Sequence, residues 1–321
     1  DAGSAYLFDT TSGKRLFKLT AADAAAGDRF GWSVAISGTT AIVGAFADDD
    51  NGTNSGAAYL FDIATGNQLF KLTARDGAAG DWFGWSVGIS GTTAIVGARM
   101  DDDSGTNSGS VYLFDTTTGA QIAKLTARDA AAGDLFGIAV GISRTIAIVG
   151  AQMDDHSGSF SGSAYLFDTS TGDQLFKLTA FDATAGDRFG QSVAISGNTA
   201  IVGAYFNDDN GPNSGSAYLF DTTTGEQFFK LTARDAAAGD WFGWSVGISG
   251  TTAIVGAFSD DDNGCGSGSA YLFDITTGSQ IAKLTARDAA VGDWFGYHVA
   301  ISGATAIVGA FYHDASGSAY D

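Results

Sequence analysis

Large and small side chains alternate along short stretches of this chain. In FGWSVAI, residues 30–36, the bulky Phe, Trp, Val and Ile are separated by Gly, Ser and Ala. A period of two residues is typical of a β-strand, whose successive side chains point to opposite faces. The turn SGTT at 37–40 leads into a second apolar run, AIVGA at 41–45. We therefore predict two antiparallel strands joined by a tight turn.

A second pair of strands is predicted in the flanking sequence. GSAYLFD at 3–9 and LFKLT at 16–20 are separated by the turn TTSG. Asp9 is placed to hydrogen-bond the backbone of this turn, as Asp commonly does. An acidic loop at 48–56 then joins AIVGA to the next copy of the AYLFD strand. Each copy of the pattern thus contains four short strands.

The whole pattern repeats with a fixed period. Its Phe-Gly pair recurs every 53 residues, and so does its Val-Gly-Ala segment, from Val43 to Val308. A fixed period of this length indicates a repeat architecture. The six Phe-Gly pairs begin at Phe30, Phe83, Phe136, Phe189, Phe242 and Phe295.

Four short strands per period favour an all-β fold, a six-bladed β-propeller of four-stranded antiparallel blades. The chain begins and ends part-way through a period, so residues 1–20 and 295–321 are expected to share the closing blade. Pairing of the N- and C-terminal strands would close the ring, and residues 1–321 would form a single domain. The tail 316–321 repeats the start of the N-terminal strand, so a seventh blade or strand exchange between chains is the alternative.

Composition narrows the class of protein. Hydrophobic residues make up 45% of the chain and Pro occurs once, which excludes a disordered linker and allows a large core. Acidic residues outnumber basic ones by 36 to 16, for a net charge of −20. Such a chain repels phosphate, so no nucleic acid partner is expected. No apolar run approaches the roughly 18 residues of a membrane span, so we expect no membrane insertion.

Acidic residues concentrate between the second and third strands of each copy. Carboxylates about 5 Å apart repel by roughly 3 kcal/mol at an effective dielectric constant near 20, so they need a cation, donors or solvent between them. Oxygen ligands beside a turn glycine are what Ca²⁺ prefers. Asx turns in a solvated loop without an ion are the alternative. The predicted calcium ligands are Asp48, Asp49, Asp50, Asp101, Asp102, Asp103, Asp154, Asp155, Asp208, Asp209, Asp260, Asp261, Asp262 and Asp314.

Two further charged positions recur in every copy. An acidic pair precedes each Phe-Gly, as in Asp23 and Asp28, and we expect it on the same rim as the acidic loop. That rim is therefore predicted to be strongly anionic. A lysine in the last strand is interpreted as the charged guard of an outer edge strand. These lysines are Lys18, Lys71, Lys124, Lys177, Lys230 and Lys283.

A Phe-Gly pair followed after a short hairpin by Val-Gly-Ala resembles the FG-GAP repeat of integrin α-subunit propellers and many bacterial surface proteins. The resemblance covers all six periods. It implies a propeller, often calcium-binding, that works in adhesion or recognition outside the cell or at its surface. Two features differ: Phe46 replaces the Pro of the family's second motif, and the family's calcium-binding hairpin between the first two strands is only SGTT here.

The leading hypothesis is a non-enzymatic, extracellular or cell-surface structural or adhesion propeller, stabilised by Ca²⁺. Its expected partners are another protein or further copies of the chain, which would join into fibres. Aromatic residues beside Phe-Gly, such as Trp82 and Trp241, favour glycan binding as the alternative, a lectin-type function. An enzyme is not expected, because His156, His298 and His313 have no nucleophile motif near them.

Overall fold

A computed structural model describes residues 2–313 of the chain. All regular elements in this range are β-strands, and they number 24, as the alternation predicts. Between residues 2 and 313 there is no helix with the length and apolar character needed to cross a membrane. The strands are β1 (Ala5–Phe8), β2 (Arg15–Leu19), β3 (Ser33–Ser37), β4 (Thr40–Ala45), β5 (Ala57–Asp62), β6 (Gln68–Leu72), β7 (Phe83–Ser90), β8 (Thr93–Ala98), β9 (Ser110–Asp115), β10 (Gln121–Leu125), β11 (Val140–Ser143), β12 (Ile146–Ala151), β13 (Ser163–Asp168), β14 (Gln174–Leu178), β15 (Ser192–Ser196), β16 (Thr199–Ala204), β17 (Ser216–Asp221), β18 (Gln227–Leu231), β19 (Ser245–Ser249), β20 (Thr252–Ala257), β21 (Ser269–Asp274), β22 (Ser279–Leu284), β23 (Phe295–Ser302) and β24 (Thr305–Ala310).

Each internal copy of the repeat forms an antiparallel sheet whose strands follow chain order. β3–β6, β7–β10, β15–β18 and β19–β22 are sheets of four, and β11–β14 have the same order. The strands at the two ends of the chain, β1–β2 and β23–β24, form sheets of two. The predicted all-β class and the four-stranded antiparallel sheets are thus confirmed, and closure of a ring stays a prediction. The predicted strand start at 316–321 lies outside the described residues.

The chain divides into two compact units. The first contains Asp1–Ala151 and Phe167–Leu175, and the second contains Gln152–Leu166 and Phe176–Asp321. Each unit has a hydrophobic core of its own, built from the same positions of the repeat. The expectation of one domain over 1–321 stays a prediction.

The strand register places the same residue types in the core of every copy. β4 pairs with β5 so that Val43 faces Tyr59 and Ile42 faces Leu60. Both strands lie in the middle of their sheet, and the Tyr59 side chain has no exposed surface. A buried tyrosine needs a hydrogen-bond partner for its hydroxyl. That requirement connects the core to the acidic loop between β4 and β5.

The glycines of the two repeated motifs touch each other across neighbouring sheets. A Cβ atom on Gly44 in β4 would overlap the carbonyl oxygen of Gly84 in β7. The Ser33 hydroxyl donates a hydrogen bond to the same carbonyl oxygen at 2.9 Å. The second unit repeats this contact between Gly203 and Gly243. Phe-Gly and Val-Gly-Ala therefore recur together because each supplies one half of a close approach between adjacent sheets.

Apolar residues are exposed on strands near the two ends of the chain. In the first unit, Val34 and Ile36 of β3 are 62% and 60% exposed, whereas Ile89, at the position of Ile36 in the next copy, is 8% exposed. In the second unit, Ile307 of β24 is 71% exposed, whereas Ile254 at the same position of the preceding copy is fully buried. The strands near the two ends of the chain thus present apolar faces that the corresponding strands of other copies bury.

The contact between glycines makes a prediction for stability. Gly44→Ala should lower the free energy of unfolding by about 2 kcal/mol or more, because the added methyl group forces β4 and β7 apart. Urea unfolding followed by circular dichroism measures the change.

Gly77→Ala is the matched control. Alanine occupies this position in the other five copies, and the Gly77 backbone does not need the left-handed region. We expect little change or a slight gain in stability. An equal decrease in the free energy of unfolding of Gly44→Ala and Gly77→Ala would contradict the role given to the Gly44 contact.

Candidate functional site

The first acidic residue of the loop between the second and third strands is buried. Asp101, between β8 and β9, is 2% exposed. Its carboxylate oxygens accept four hydrogen bonds, from Ser110 Oγ at 2.9 Å, the backbone N–H of Asp103 at 3.1 Å, the Tyr112 hydroxyl at 2.9 Å and Lys124 Nζ at 3.2 Å. The buried tyrosine and the buried carboxylate thereby satisfy each other.

Lys124 of β10 lies among three carboxylates. Its Nζ is 2.7 Å from Asp76 Oδ2 and 3.2 Å from Asp101 Oδ2, and it also bonds Asp103. The side chain is 18% exposed, and Nζ lies 5.1 Å from the ring centroid of Tyr112. Burial lowers the pKa of this amine, but the hydrogen bonds to Asp103 and Asp76 outweigh it and raise the pKa above its ordinary value. β10 is an edge strand as expected, but the predicted role of the lysine as a guard of that edge is wrong, because its ammonium is held by the acidic loop.

Each of the other internal copies also places its lysine against the acidic loop. Lys71 Nζ lies 2.7 Å from Asp23 Oδ2, so the acidic pair before Phe-Gly does join the loop, as predicted. In each copy the ammonium also contacts the first residue of its loop. These pairs are Lys71 with Asp48 at 3.0 Å, Lys124 with Asp101 at 3.2 Å, Lys177 with Asp154 at 3.1 Å, Lys230 with Asn207 at 3.3 Å and Lys283 with Asp260 at 2.9 Å.

The second acidic residue of each loop is exposed and bonds the backbone of its own loop. Asp102 Oδ1 accepts the N–H of Asn107 at 2.7 Å, and Asp49 Oδ1 accepts the N–H of Asn54 at 2.7 Å. This is the turn-type bonding that the sequence left open as the alternative to an ion. The predicted ligand Asp314 lies outside the described residues. Asp155, Asp208 and Asp261 bond their loops in the same way.

The third acidic residue completes the cluster where it is present. Asp50, Asp103, Asp209 and Asp262 each bond the lysine of their copy. His156 stands at this position in the remaining internal loop. The predicted acidic residues therefore separate into a buried position, a position that bonds the loop backbone, and an exposed position that bonds lysine.

One of these clusters has the dimensions of a metal site. Among the described residues, one oxygen from each of Asp23, Asp48 and Asp50 lies within 4.8 Å of the others. Hard oxygen ligands suit Ca²⁺. Lys71 Nζ already bonds all three carboxylates, however, so an ion at their centre would have to displace it. Calcium binding by the predicted ligands stays a prediction.

A second buried carboxylate precedes each Phe-Gly. Asp81 is 6% exposed, and its Oδ2 accepts the N–H of Ala78 at 2.6 Å. Burial raises the pKa of Asp81 to about 6, with a smaller contribution from the charge of Asp101. Burial likewise raises the pKa of Asp240 to about 6.

Two copies place a different residue beside this second carboxylate. Asn207 occupies the position of Asp101, and its Nδ2 lies 3.4 Å from Asp187 Oδ2. His313 occupies the same position, and its Nδ1 lies 3.1 Å from Asp293 Oδ2. Both replacements exchange a pair of like charges for a pair that can hydrogen-bond. The repulsion between the two buried carboxylates is thus relieved in different ways along the chain.

Aromatic side chains beside the Phe-Gly pairs stack on one another. The ring centroids of Trp82 and Trp85 are 5.4 Å apart with an interplanar angle of 21°, and those of Trp241 and Trp244 are 6.1 Å apart at 25°. These four rings are half-buried. The Arg99 guanidinium lies 3.6 Å from the centroid of Trp85, so this chain supplies a cation for that ring itself.

The raised pKa of Asp81 predicts a substitution that stabilises the protein. Its folded-state pKa of about 6 exceeds the unfolded value of about 3.9, so its protonated form favours folding. That contribution is complete below about pH 4 and is lost as the pH rises through about 6. Asp81→Asn should therefore raise the free energy of unfolding by up to about 3 kcal/mol at pH 7 and leave it unchanged at pH 4. Urea unfolding at the two pH values measures the difference.

Asp76→Asn is the control, because its expected effect on the free energy of unfolding at pH 7 has the opposite sign. Burial raises the pKa of Asp76, but the hydrogen bond from Lys124 outweighs it, so the pKa is lowered. Its contribution is present at neutral pH and lost as the pH falls. The variant should be less stable than the parent at pH 7, with a smaller difference in acid. Stabilisation of both variants at pH 7 would contradict these assignments.

Comparison with known proteins accounts for the repeated motifs. The family model described as FG-GAP repeat matches six consecutive segments, residues 15–61, 67–114, 120–167, 173–220, 226–273 and 279–320. No curated protein matches this chain significantly in sequence. The matched segments cover most of the chain and include the glycine contacts and the acidic loops. The chain therefore belongs to the FG-GAP repeat family.

Proposed function

We propose that this chain is a non-enzymatic structural or adhesion module that acts outside the cell or at its surface. FG-GAP repeats are typical of propeller and adhesion-type domains. The observation that carries the proposal is the recurrence of one loop geometry, with a lysine on the first loop residue, in every internal copy. Such a chain offers repeated surfaces, which suit a protein partner or further copies of itself.

We further propose that the module is a six-bladed ring in which β23–β24 and β1–β2 complete one blade. In the internal sheet β3–β6, Ile42 faces Leu60. The 53-residue period makes Ile307 and Leu7 the corresponding pair at the chain ends. Closure would cover the apolar faces that the terminal strands expose, which is favourable by roughly 25 cal/mol for each Å² removed from water.

The same half-sheets would produce fibres if they joined between molecules. A head-to-tail contact that does not close continues into an open assembly. Joining within one chain benefits from the high effective concentration of connected ends. We therefore expect joining within one chain, which closes the ring, to be favoured over joining between chains, which forms fibres.

The cavity between the short turns of the first unit supports a non-enzymatic role. It has a volume of about 490 Å³ and is lined mainly by Ser, Thr and Gly from turns such as 37–40 and 116–117. Asp62 is the ionisable residue in this lining. Its Oδ1 accepts hydrogen bonds from the N–H groups of Ala64 and Thr65 and from the Thr65 hydroxyl, so it is engaged by its own turn. A general acid or base free to meet a substrate is not supplied there.

Closure predicts a disulfide between the chain ends. In a Cys265→Ser background, which removes the exposed native thiol, Leu7→Cys with Ile307→Cys should form a disulfide under mild oxidation, because the two Cα atoms would be paired across strands. Non-reducing electrophoresis and light scattering distinguish a cross-linked monomer from a cross-linked multimer.

The internal pair Ile254 and Leu272, which the register of β20 and β21 already joins, provides the control. Ile254→Cys with Leu272→Cys should cross-link under the same conditions. Cross-linking of that control without any cross-link at the ends would reject closure. Cross-linked multimers of the variant with Leu7→Cys and Ile307→Cys would favour fibre formation.

A lectin-type propeller is the second candidate. The stacked, half-buried Trp241 and Trp244 favour it, because sugar rings pack against aromatic faces. A lectin function predicts a signal for the parent protein in a glycan array that Trp241→Ala abolishes. Leu69→Ala, an exposed apolar change on β6, should leave the signal intact. Absence of binding by the parent protein would reject this candidate.

A further inference from the structure

We infer that lysine is the resident cation of the acidic loops, and that the native loops do not take up calcium because the ammonium group occupies the place an ion would need. Binding of the lysine by the loop carboxylates does not depend on ring closure or on adhesion. The lysine is supplied by the last strand of the same sheet, so the cation is covalently attached to the site whose negative charge it reduces.

The oxygen atoms of the buried carboxylate leave no position for a metal ion. Two carboxylate oxygens offer about four acceptor sites. The two carboxylate oxygens of Asp101 accept four hydrogen bonds at 2.9 to 3.2 Å, from Ser110, Asp103, Tyr112 and Lys124. An ion could coordinate Asp101 only after one of these donors had left.

The donors of the ammonium group are matched in the same way. A lysine ammonium has three N–H groups. Lys124 Nζ bonds three carboxylates, those of Asp76, Asp101 and Asp103. The face of the Tyr112 ring lies 5.1 Å from Nζ, which further favours a cation at this place. The three carboxylates thus match the three N–H donors of the ammonium group.

Changes among the copies fit a bound lysine better than a bound ion. Asn207 replaces one carboxylate at the Lys230 site, yet its Oδ1 lies 3.3 Å from Nζ and accepts the Ser216 hydroxyl at 2.9 Å, as Asp101 accepts Ser110. A calcium site weakens when a charged ligand is lost, because its affinity depends on the number of charged ligands. A tethered ammonium stays in place, because its effective concentration is fixed by the chain.

Removal of the lysine should expose a latent cation site. Lys71→Gln removes the ammonium group and leaves Asp23, Asp48 and Asp50, whose oxygens lie within 4.8 Å of one another, without the positive charge that they bond. We expect 1 mM calcium chloride to raise the Tm of this variant by about 3 °C or more relative to EDTA, because an ion that binds only the folded state stabilises it. The parent protein should melt at the same temperature in both solutions.

Terbium luminescence provides a second readout. The Tyr59 hydroxyl lies 2.8 Å from Asp48 Oδ2 and 3.0 Å from Asp23 Oδ1, so Tb³⁺ bound at the Lys71→Gln site should be sensitised by this ring. Lys14→Gln changes the same charge at an exposed turn, and it should gain neither luminescence nor calcium sensitivity. Lys230→Gln, where Asn207 leaves one carboxylate fewer, should gain a smaller calcium response than Lys71→Gln.

Measurements on the parent protein alone can decide the question if a variant fails to fold. A fall of several degrees in the parent Tm on chelation, restored by calcium, would overturn the inference. A folded Lys71→Gln that gains no calcium response and no terbium luminescence would overturn it as well. An indifferent parent with calcium-sensitive Lys71→Gln would support it.

Discussion

The fold depends on how closely the backbones of neighbouring sheets approach each other. Gly44 and Gly84 meet where any side chain would separate the sheets, and Ser33 ties the two segments at the same point. This contact fixes the start of one sheet against the second strand of the sheet before it. Because the loop that follows this second strand is the acidic one, the glycine contact also determines where the carboxylates collect.

Burial of these carboxylates has opposite electrostatic consequences at neighbouring positions. Burial raises the pKa of Asp76, but the hydrogen bond from the Lys124 ammonium outweighs it, so the ionised form of Asp76 is favoured. Asp81 lies close by without a lysine of its own, and burial makes ionisation there unfavourable. The loops therefore combine a stabilising ion cluster with a carboxylate whose ionisation lowers stability. In the copies with Asn207 and His313 the repulsion between two buried carboxylates is absent, because these residues lie at hydrogen-bond distance from Asp187 and Asp293.

Much of the fold could be predicted from sequence. The alternation of large and small side chains in segments such as 30–36 indicates strands, and the 53-residue period gives the number of copies. The position of Asp23 beside the acidic loop could also be predicted. In a sheet of four antiparallel strands, the loop between the second and third strands and the connection that contains Asp23 lie at the same edge. The role of Lys71 could not, because its partners lie 21 to 48 residues away and their meeting depends on side-chain direction within the sheet. One signal was available: Tyr and Lys recur together in the third and fourth strands of every copy.

The separation of β1–β2 from β23–β24 along the chain has a consequence during synthesis. Tyr6, Phe8 and Leu16 of the first two strands are exposed, and they leave the ribosome about 280 residues before β24. At 5 to 20 residues per second, translation of the intervening copies takes roughly 15 to 60 s. In the closed ring that we propose, β23 and β24 would cover this apolar hairpin, so the nascent chain would display it for the whole of that interval.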